Sequence, residues 1–334
     1  MKEKNYFMKK LGILIALFCI CFAVMPVTAN AKPKTVKIHS FSSGDKKVDK
    51  KIRSIIKKKI KPGMSTAEKI KTVHDYMVLT CKYDYTNYSN GTIPKVSYTP
   101  RGVLIKKKAV CQGYAETFQL FMDALGIPCK TVTGTANNGS GNGYQGHAWN
   151  MVKVNNKWYH VDVTWDDPVP DQKKYINYGY FLIPDSQMDN DHKWNRSSYP
   201  KCKSSSNKFI KLFGKVSKTM DSATDALYNG YQKDKNKTVT IIIPKKLYKS
   251  YKNKADFNFE LMINVARRHC VSITAWNSSK PYAYGNYYIM RFTVTKAEAA
   301  TQSICPHCEQ YHNPYLDICP HCGKNQNTFP DPEE

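Results

Sequence analysis

The stretch Ala109-Val110-Cys111-Gln112-Gly113-Tyr114-Ala115-Glu116 constrains this chain more than any other. Downstream of Cys111, apolar residues recur at Ala115, Phe118, Met122 and Leu125. Steps of three and four trace one stripe of a helix. Gly126 and Pro128 then supply a stop. Upstream, Lys106-Lys107-Lys108 reads as a loop or the end of a short earlier helix. Cys111 therefore enters the first turn of a buried helix, where unpaired N–H groups and the helix dipole favour a thiolate. A small buried hydrophobe is the competing role for such a cysteine.

Two later residues give the cysteine chemical company. His147 lies in Gly146-His147-Ala148-Trp149-Asn150, and Asp162 in His160-Val161-Asp162-Val163-Thr164-Trp165-Asp166-Asp167-Pro168. Between them the pattern is a hairpin, with a strand to Val154, a turn at Asn155-Asn156 and a return strand from Lys157. A two-residue turn sets Lys153 opposite Trp158, Met151 opposite His160 and Trp149 opposite Asp162. His147 and Asp162 then share a face as diagonal neighbours. A three-residue loop would reverse that parity. A cysteine at a helix start, with His and Asp on neighbouring strands, supplies the nucleophile, base and orienting group of thiol acyl transfer.

The blocks "AVCQGYAETFQLFMDALGIPCKTVTG", "GHAWNMVKVNNKWYHVDVTWDDP" and "YFLIPDSQMDNDHKW" resemble, in that order, the bacterial transglutaminase-like superfamily. "IKTVHDYMVLTCKYD" is similar to the helix preceding its core, so the likeness spans roughly Lys46 to Trp194. The resemblance implies Cys111 as nucleophile, His147 as general base and Asp162 as its partner. It also implies an α+β, papain-like core with the cysteine helix packed on an antiparallel sheet. The family holds cross-linking enzymes, peptidases and inactive members, so the likeness does not name a reaction.

Four segments are expected: a signal peptide at 1–31, a transglutaminase-like catalytic domain at 32–205, an accessory α/β module at 206–300 and a zinc-ribbon-like tail at 301–334. The lysines at 2, 4, 9 and 10, the apolar run Leu11 to Met25 and Ala29-Asn30-Ala31 have the order of a secretory signal peptide. An uncleaved anchor of the same topology is the alternative. Export places the protein outside the cell or on its envelope. The formal charge of +25 is carried by the stretch from Lys32 to Ala300, since the two ends nearly cancel. In an exported protein such charge favours anionic wall polymers or a membrane surface. Nucleic acid is not an expected partner, because no recognition motif accompanies the charge.

In Lys46 to Lys61, Val48, Ile52, Ile55, Ile56 and Ile60 form one stripe of a basic helix. It suits either a surface-lying membrane helix or packing on the domain that follows at once. Ser65-Thr66-Ala67-Glu68 is a capping box. It opens a helix in which His74 is expected as a packed, hydrogen-bonded histidine. The polar segment Tyr83 to Pro100 reads as a loop whose tyrosines could line a peptide cleft near Cys111. Asn137 to Gly146 reads as a loop able to cover the site. Trp149, Trp158 and Trp165 are assigned to hairpin packing. Asp166-Asp167 before proline is assigned to turn chemistry.

From Val216 the pattern is a helix to Gln232, a strand at Thr238 to Ile243 and a broken helical region at Lys245 to His269. Strands at Val271 to Ala275 and Tyr287 to Thr295 complete a small α/β unit. The tail carries Cys305-Pro306-His307-Cys308 and Cys319-Pro320-His321-Cys322. Cys305, Cys308, Cys319 and Cys322 have the grammar of a closed structural zinc site. Disulfides compete with this reading in an exported protein. The pairing of Cys81, Cys129, Cys202 and Cys270 cannot be read from spacing.

No nucleotide, flavin or calcium pattern is present, and catalysis is expected to need no cofactor. The readings are an exported cysteine enzyme cleaving protein or peptide amides through a thioester, a protein-glutamine γ-glutamyltransferase, and a non-catalytic wall or adhesion protein.

Overall fold

A computed structural model describes residues 35–299 apart from 138, 140, 142, 172–174, 234–237, 252–253, 270 and 279–280, together with 303–304 and 311–312. Helix α1 (Lys46–Lys59) starts at Asp45, whose side chain accepts from the N–H groups of Lys47 and Val48. Val48, Ile52, Ile55, Ile56 and Ile60 are all buried. The apolar stripe is thus spent on the core, and the lysines between those positions face solvent. Helix α2 (Thr66–Thr80) begins with the reciprocal Ser65/Glu68 capping box.

The segment expected as a plain loop is folded. It holds β1 (Lys82–Tyr83), α3 (Tyr85–Ser89) and a 3-10 turn at Lys95–Tyr98. The cause is one buried carboxylate. Asp84 accepts from Ser97 Oγ at 2.7 Å and from Asn87 Nδ2 at 2.9 and 3.0 Å, and its N–H donates to the Ala109 carbonyl. A polar stretch has wrapped around an internal acceptor that must be satisfied. A π-helical turn at Gly102–Lys106 leads to β2 (Lys108–Ala109), which pairs in parallel with β1.

Helix α4 (Cys111–Leu125) carries the cysteine as its first residue. Its end is set by Gly126 at φ +67°, a left-handed cap. A Cβ there would lie 2.5 Å from the His39 ring, so conformation and space both call for glycine. Five antiparallel strands follow: β3 (Cys129–Ala136), β4 (Gln145–Val154), β5 (Lys157–Val161), β6 (Phe181–Ile183) and, after the short helix α5 (Asp185–Met188), β7 (His192–Trp194). Their order in the sheet is β6-β5-β4-β3-β7. The β4–β5 register pairs Lys153 with Trp158 and Met151 with His160. Asn155 and Asn156 both have positive φ, 47° and 62°, as a two-residue hairpin turn demands. Helix α4 packs on β4, where Asn150 Nδ2 donates to the Ala115 carbonyl inside the helix. Phe118, Phe121 and Met122 fill the space around it.

The four strands of the second sheet pair antiparallel, with one isolated parallel bridge from Val216 to Ile242. After α6 (Met220–Lys233) come β8 (Thr238–Pro244), α7 (Lys245–Lys249), α8 (Lys254–His269), β9 (Val271–Ser278), β10 (Tyr282–Tyr284) and β11 (Tyr287–Ala299). Strand β11 pairs with β8, β9 and β10. A hairpin at 282–289, turning at Gly285-Asn286 and missed in reading the sequence, makes this module α+β rather than α/β. Leu227, Ile241, Ile243, Phe257, Leu261, Val265, Met290 and Phe292 form its core. It meets the first sheet through the 3-10 stretch Ser206–Leu212 and Phe213, whose ring packs on Tyr178 at 4.5 Å and Tyr284 at 4.8 Å.

Strands β12 (Ser303–Ile304) and β13 (Tyr311–His312) pair antiparallel. Cys305, Cys308, Cys319 and Cys322 lie outside the described residues, as do Cys270 and the expected signal peptide. Among the described residues no helix is long and apolar enough to cross a membrane.

Candidate active site

Cys111 is a half-buried free thiol at the start of α4. The preceding Val110 offers no side-chain cap, so no side chain claims the N–H groups of the first turn. The 3-10 turn presses close behind: a Cβ on Gly113 would lie 2.7 Å from the Ser97 carbonyl. That contact carries the tyrosines of 83–98 to the cysteine. Burial pushes the Tyr83 hydroxyl well above its usual range, and Cys111, Tyr88, Tyr98 and Asp162 add to the shift in that order.

His147 stands on β4, opposite Gly134 of β3. Its Nε2 lies 2.6 Å from Asp162 Oδ2, and its ring stacks on Trp149 with centroids 5.8 Å apart. With Nε2 committed to Asp162, Nδ1 is the nitrogen left for Cys111. Burial alone would lower the imidazole's pKa. The Asp162 charge and hydrogen bond, reinforced by Cys111, lift it instead to about 10. Asp162 follows directly on β5 and is fully buried. Burial opposes its charge, but His147 and then His192 hold the carboxyl well below the usual carboxylate range. Its second oxygen accepts from the N–H groups of Thr164 and Trp165 at 3.0 and 3.1 Å. The structure therefore gathers Cys111, His147 and Asp162 into one place.

Residues that sequence reasoning left out surround them. His192 of β7 places Nε2 3.1 Å from the same Asp162 oxygen and Nδ1 2.6 Å from Asp191. Trp149, stacked on His147, donates its indole N–H to His160 Nδ1 at 3.0 Å, and His160 Nε2 reaches Asp185 at 2.9 Å. The first bond makes Nδ1 an acceptor, so Nε2 carries the proton. The indole, and through it the His147 ring, is held from behind.

Asp166 and Asp167 lie in a turn as expected, their N–H groups donating to the Asp162 and Thr164 carbonyls, but their side chains do more than turn chemistry. Both are buried, and both side chains reach outward. Asp166 Oδ2 meets His74 Nε2 of α2 at 3.0 Å and Oδ1 accepts from the Tyr180 N–H at 3.0 Å. Asp167 Oδ2 accepts from Tyr114 Oη of α4 at 2.5 Å. His74 lies between Asp166 and Asp75, and these two outweigh burial to lift its pKa to about 9. Local sequence displays neighbours, whereas these partners come from helices 53 and 92 residues away. The donor atoms of His147, Asp162 and His192, and those of His160, Asp185 and Cys202, each lie within 4.8 Å of one another. In both sets histidine and carboxylate already hydrogen-bond each other.

Residues 53–163 match the transglutaminase-like superfamily. This segment is a transglutaminase-like domain. The match ends one residue past Asp162, so the domain as matched contains Cys111, His147 and Asp162 but not His192. The chain is also 32% identical over 110 residues to the kyphoscoliosis peptidase of Mus musculus, and 31% identical to that of Homo sapiens. Each alignment covers 29% of this chain and 16% of the relative. A solved TGase structure aligns at TM-score 0.30 and 23% identity, over 37% of this chain and 32% of its own. Arylamine N-acetyltransferase C from Bacillus anthracis aligns at 0.29 and 18%, over 37% and 51%. Structural likenesses this partial carry no argument about activity.

Proposed function

We propose that the transglutaminase-like domain is a cysteine peptidase that cleaves protein or peptide amides through a Cys111 thioester. One observation carries this reading: His147, bonded to a buried Asp162 at 2.6 Å, couples to the half-buried Cys111 at an uncapped helix start. Cys111 gives its proton to His147 Nδ1 and attacks the amide carbon. The Cys111 N–H helps hold the oxyanion. The C–N bond then breaks as His147 returns the proton to the leaving amine. Water, activated by the same imidazole, attacks the thioester and releases the acid and the thiol. Asp162 keeps Nε2 protonated throughout. The curated relatives are named as peptidases, which favours water as the acceptor.

The test incubates the full chain and Cys111→Ala with a protein substrate and a labelled primary amine. New peptide ends that depend on Cys111, without label, are expected. Cys111-dependent label would make the domain a transglutaminase. Neither product, with Cys111 inert to alkylation at low pH, would leave the fold as a scaffold. Export and a structural zinc on Cys305, Cys308, Cys319 and Cys322 are proposed on the sequence alone.

A further inference from the structure

We infer that His192 is a positioning residue for the Cys111 site: it bonds the same Asp162 oxygen as His147, so that one carboxylate oxygen is shared by two imidazoles. The inference rests on the proposed cysteine chemistry. Both ring nitrogens of His192 face carboxylates, Asp191 Oδ1 at 2.6 Å and Asp162 Oδ2 at 3.1 Å. Each carboxylate is also engaged as an acceptor elsewhere. Asp191 Oδ2 accepts from Tyr180 Oη at 2.6 Å, and Asp162 Oδ1 from two backbone N–H groups. A group that only accepts needs a donor opposite it, so both His192 nitrogens carry hydrogen and the ring is a buried cation.

Strand pairing puts it there. Strand β3 lies between β4 and β7, with Gly134 beside both His147 and Trp194, and Ala136 beside His192. The rings of Trp165, Trp149 and Tyr180 close around His192 at 4.4, 5.1 and 5.4 Å. The charged and titratable groups facing it are Asp162, Asp191, His147, His160 and Tyr180. This arrangement does two things. Two donors on Oδ2 fix the plane of the Asp162 carboxylate and hence the direction of the His147 ring. The cation also offsets the Asp162 charge, which would otherwise bind the His147 proton more tightly.

The experiment measures alkylation of Cys111 by iodoacetamide from pH 4 to 10 on the full chain, read on the Cys111 peptide by mass. Variants are His192→Gln, His192→Phe, Asp191→Asn and His147→Ala. At pH 6, His192→Phe is expected to be slower by roughly 10–100-fold, the scale for outer partners of metal-binding histidines. His192→Gln keeps one N–H for Asp162 and loses less. Losing the cation moves the whole pH profile upward in both variants, and in Asp191→Asn as well. A purely structural role would lower rates without moving the profile. Should His192→Phe fail to fold, the other two decide. If wild type and His147→Ala react alike at pH 6, the cysteine chemistry itself fails and takes this inference with it. If wild type depends on His147 while the His192 and Asp191 variants follow the wild-type curve, only the role of His192 is overturned.

Discussion

At the scale of single residues, Asp162 and its near neighbours Asp166 and Asp167 divide the work. Asp162→Asn keeps the shape but offers an amide N–H where His147 needs an acceptor. It is expected to lower turnover by about 10⁴-fold, as the same change does in the serine triad, and also to lower the melting temperature, because buried His192 loses an acceptor. Asp166→Asn is expected to lower the melting temperature without a comparable loss of turnover, because it strips a partner from fully buried His74. Comparing turnover with thermal melts for both variants checks the division. The nearness of His147 and Asp162 was legible in the sequence because a two-residue turn fixes parity across the hairpin. His192 was not, since it reaches Asp162 from a strand 30 residues on, and no local pattern states which strand that one will pair with. The turn at 166 and 167 was legible, but the distant partners of its two side chains were not, for the same reason.

At the scale of elements, the sheet is built to bring three strands very close at Gly134. A Cβ there would lie 2.9 Å from the Trp149 ring and closer still to the Lys193 carbonyl. Gly134→Ala is expected to cost about 1–3 kcal/mol, the range for overpacking, and to disturb the Trp149 ring that stacks on His147. Denaturant melts together with Cys111 alkylation rates test both effects. The helices were readable from their periodicity and caps, down to the Ser65/Glu68 box. The 83–98 segment was not, because what folds it is a buried carboxylate whose partners are scattered, and polar composition alone reads as loop. In the second module the helices and three of its strands were legible. The 282–289 hairpin was marked by the two-residue Gly285-Asn286 turn, but that signal went unread, and with it the antiparallel topology.

At the scale of the whole molecule, stability should fall with rising pH on the alkaline side. His74 ordinarily titrates near 6.5, and Asp166 and Asp75 raise it to about 9 when folded. A raised histidine contributes fully below its unfolded value and loses that contribution as pH passes the folded one. Burial raises Asp167 from 3.8 to about 7, so its share of the fall is complete by about neutral pH and the alkaline slope belongs to the histidine. Thermal midpoints are therefore expected to drop between pH 6 and 10, and His74→Gln should flatten that slope. For the tail, the zinc reading predicts one metal per chain by elemental analysis, lost with Cys305→Ser plus Cys322→Ser. Cys111 alkylation should survive that loss. Chemistry and architecture meet in the short turn from Asp162 to Asp167, which binds β4, α2 and α4 through three internal carboxylates. A random library sorted only for soluble expression should therefore accept few residues at 162 or 166 and many at the half-buried Cys111. Such a sort would enrich well-folded copies that lack the thiol, and inactive relatives could arise by the same route.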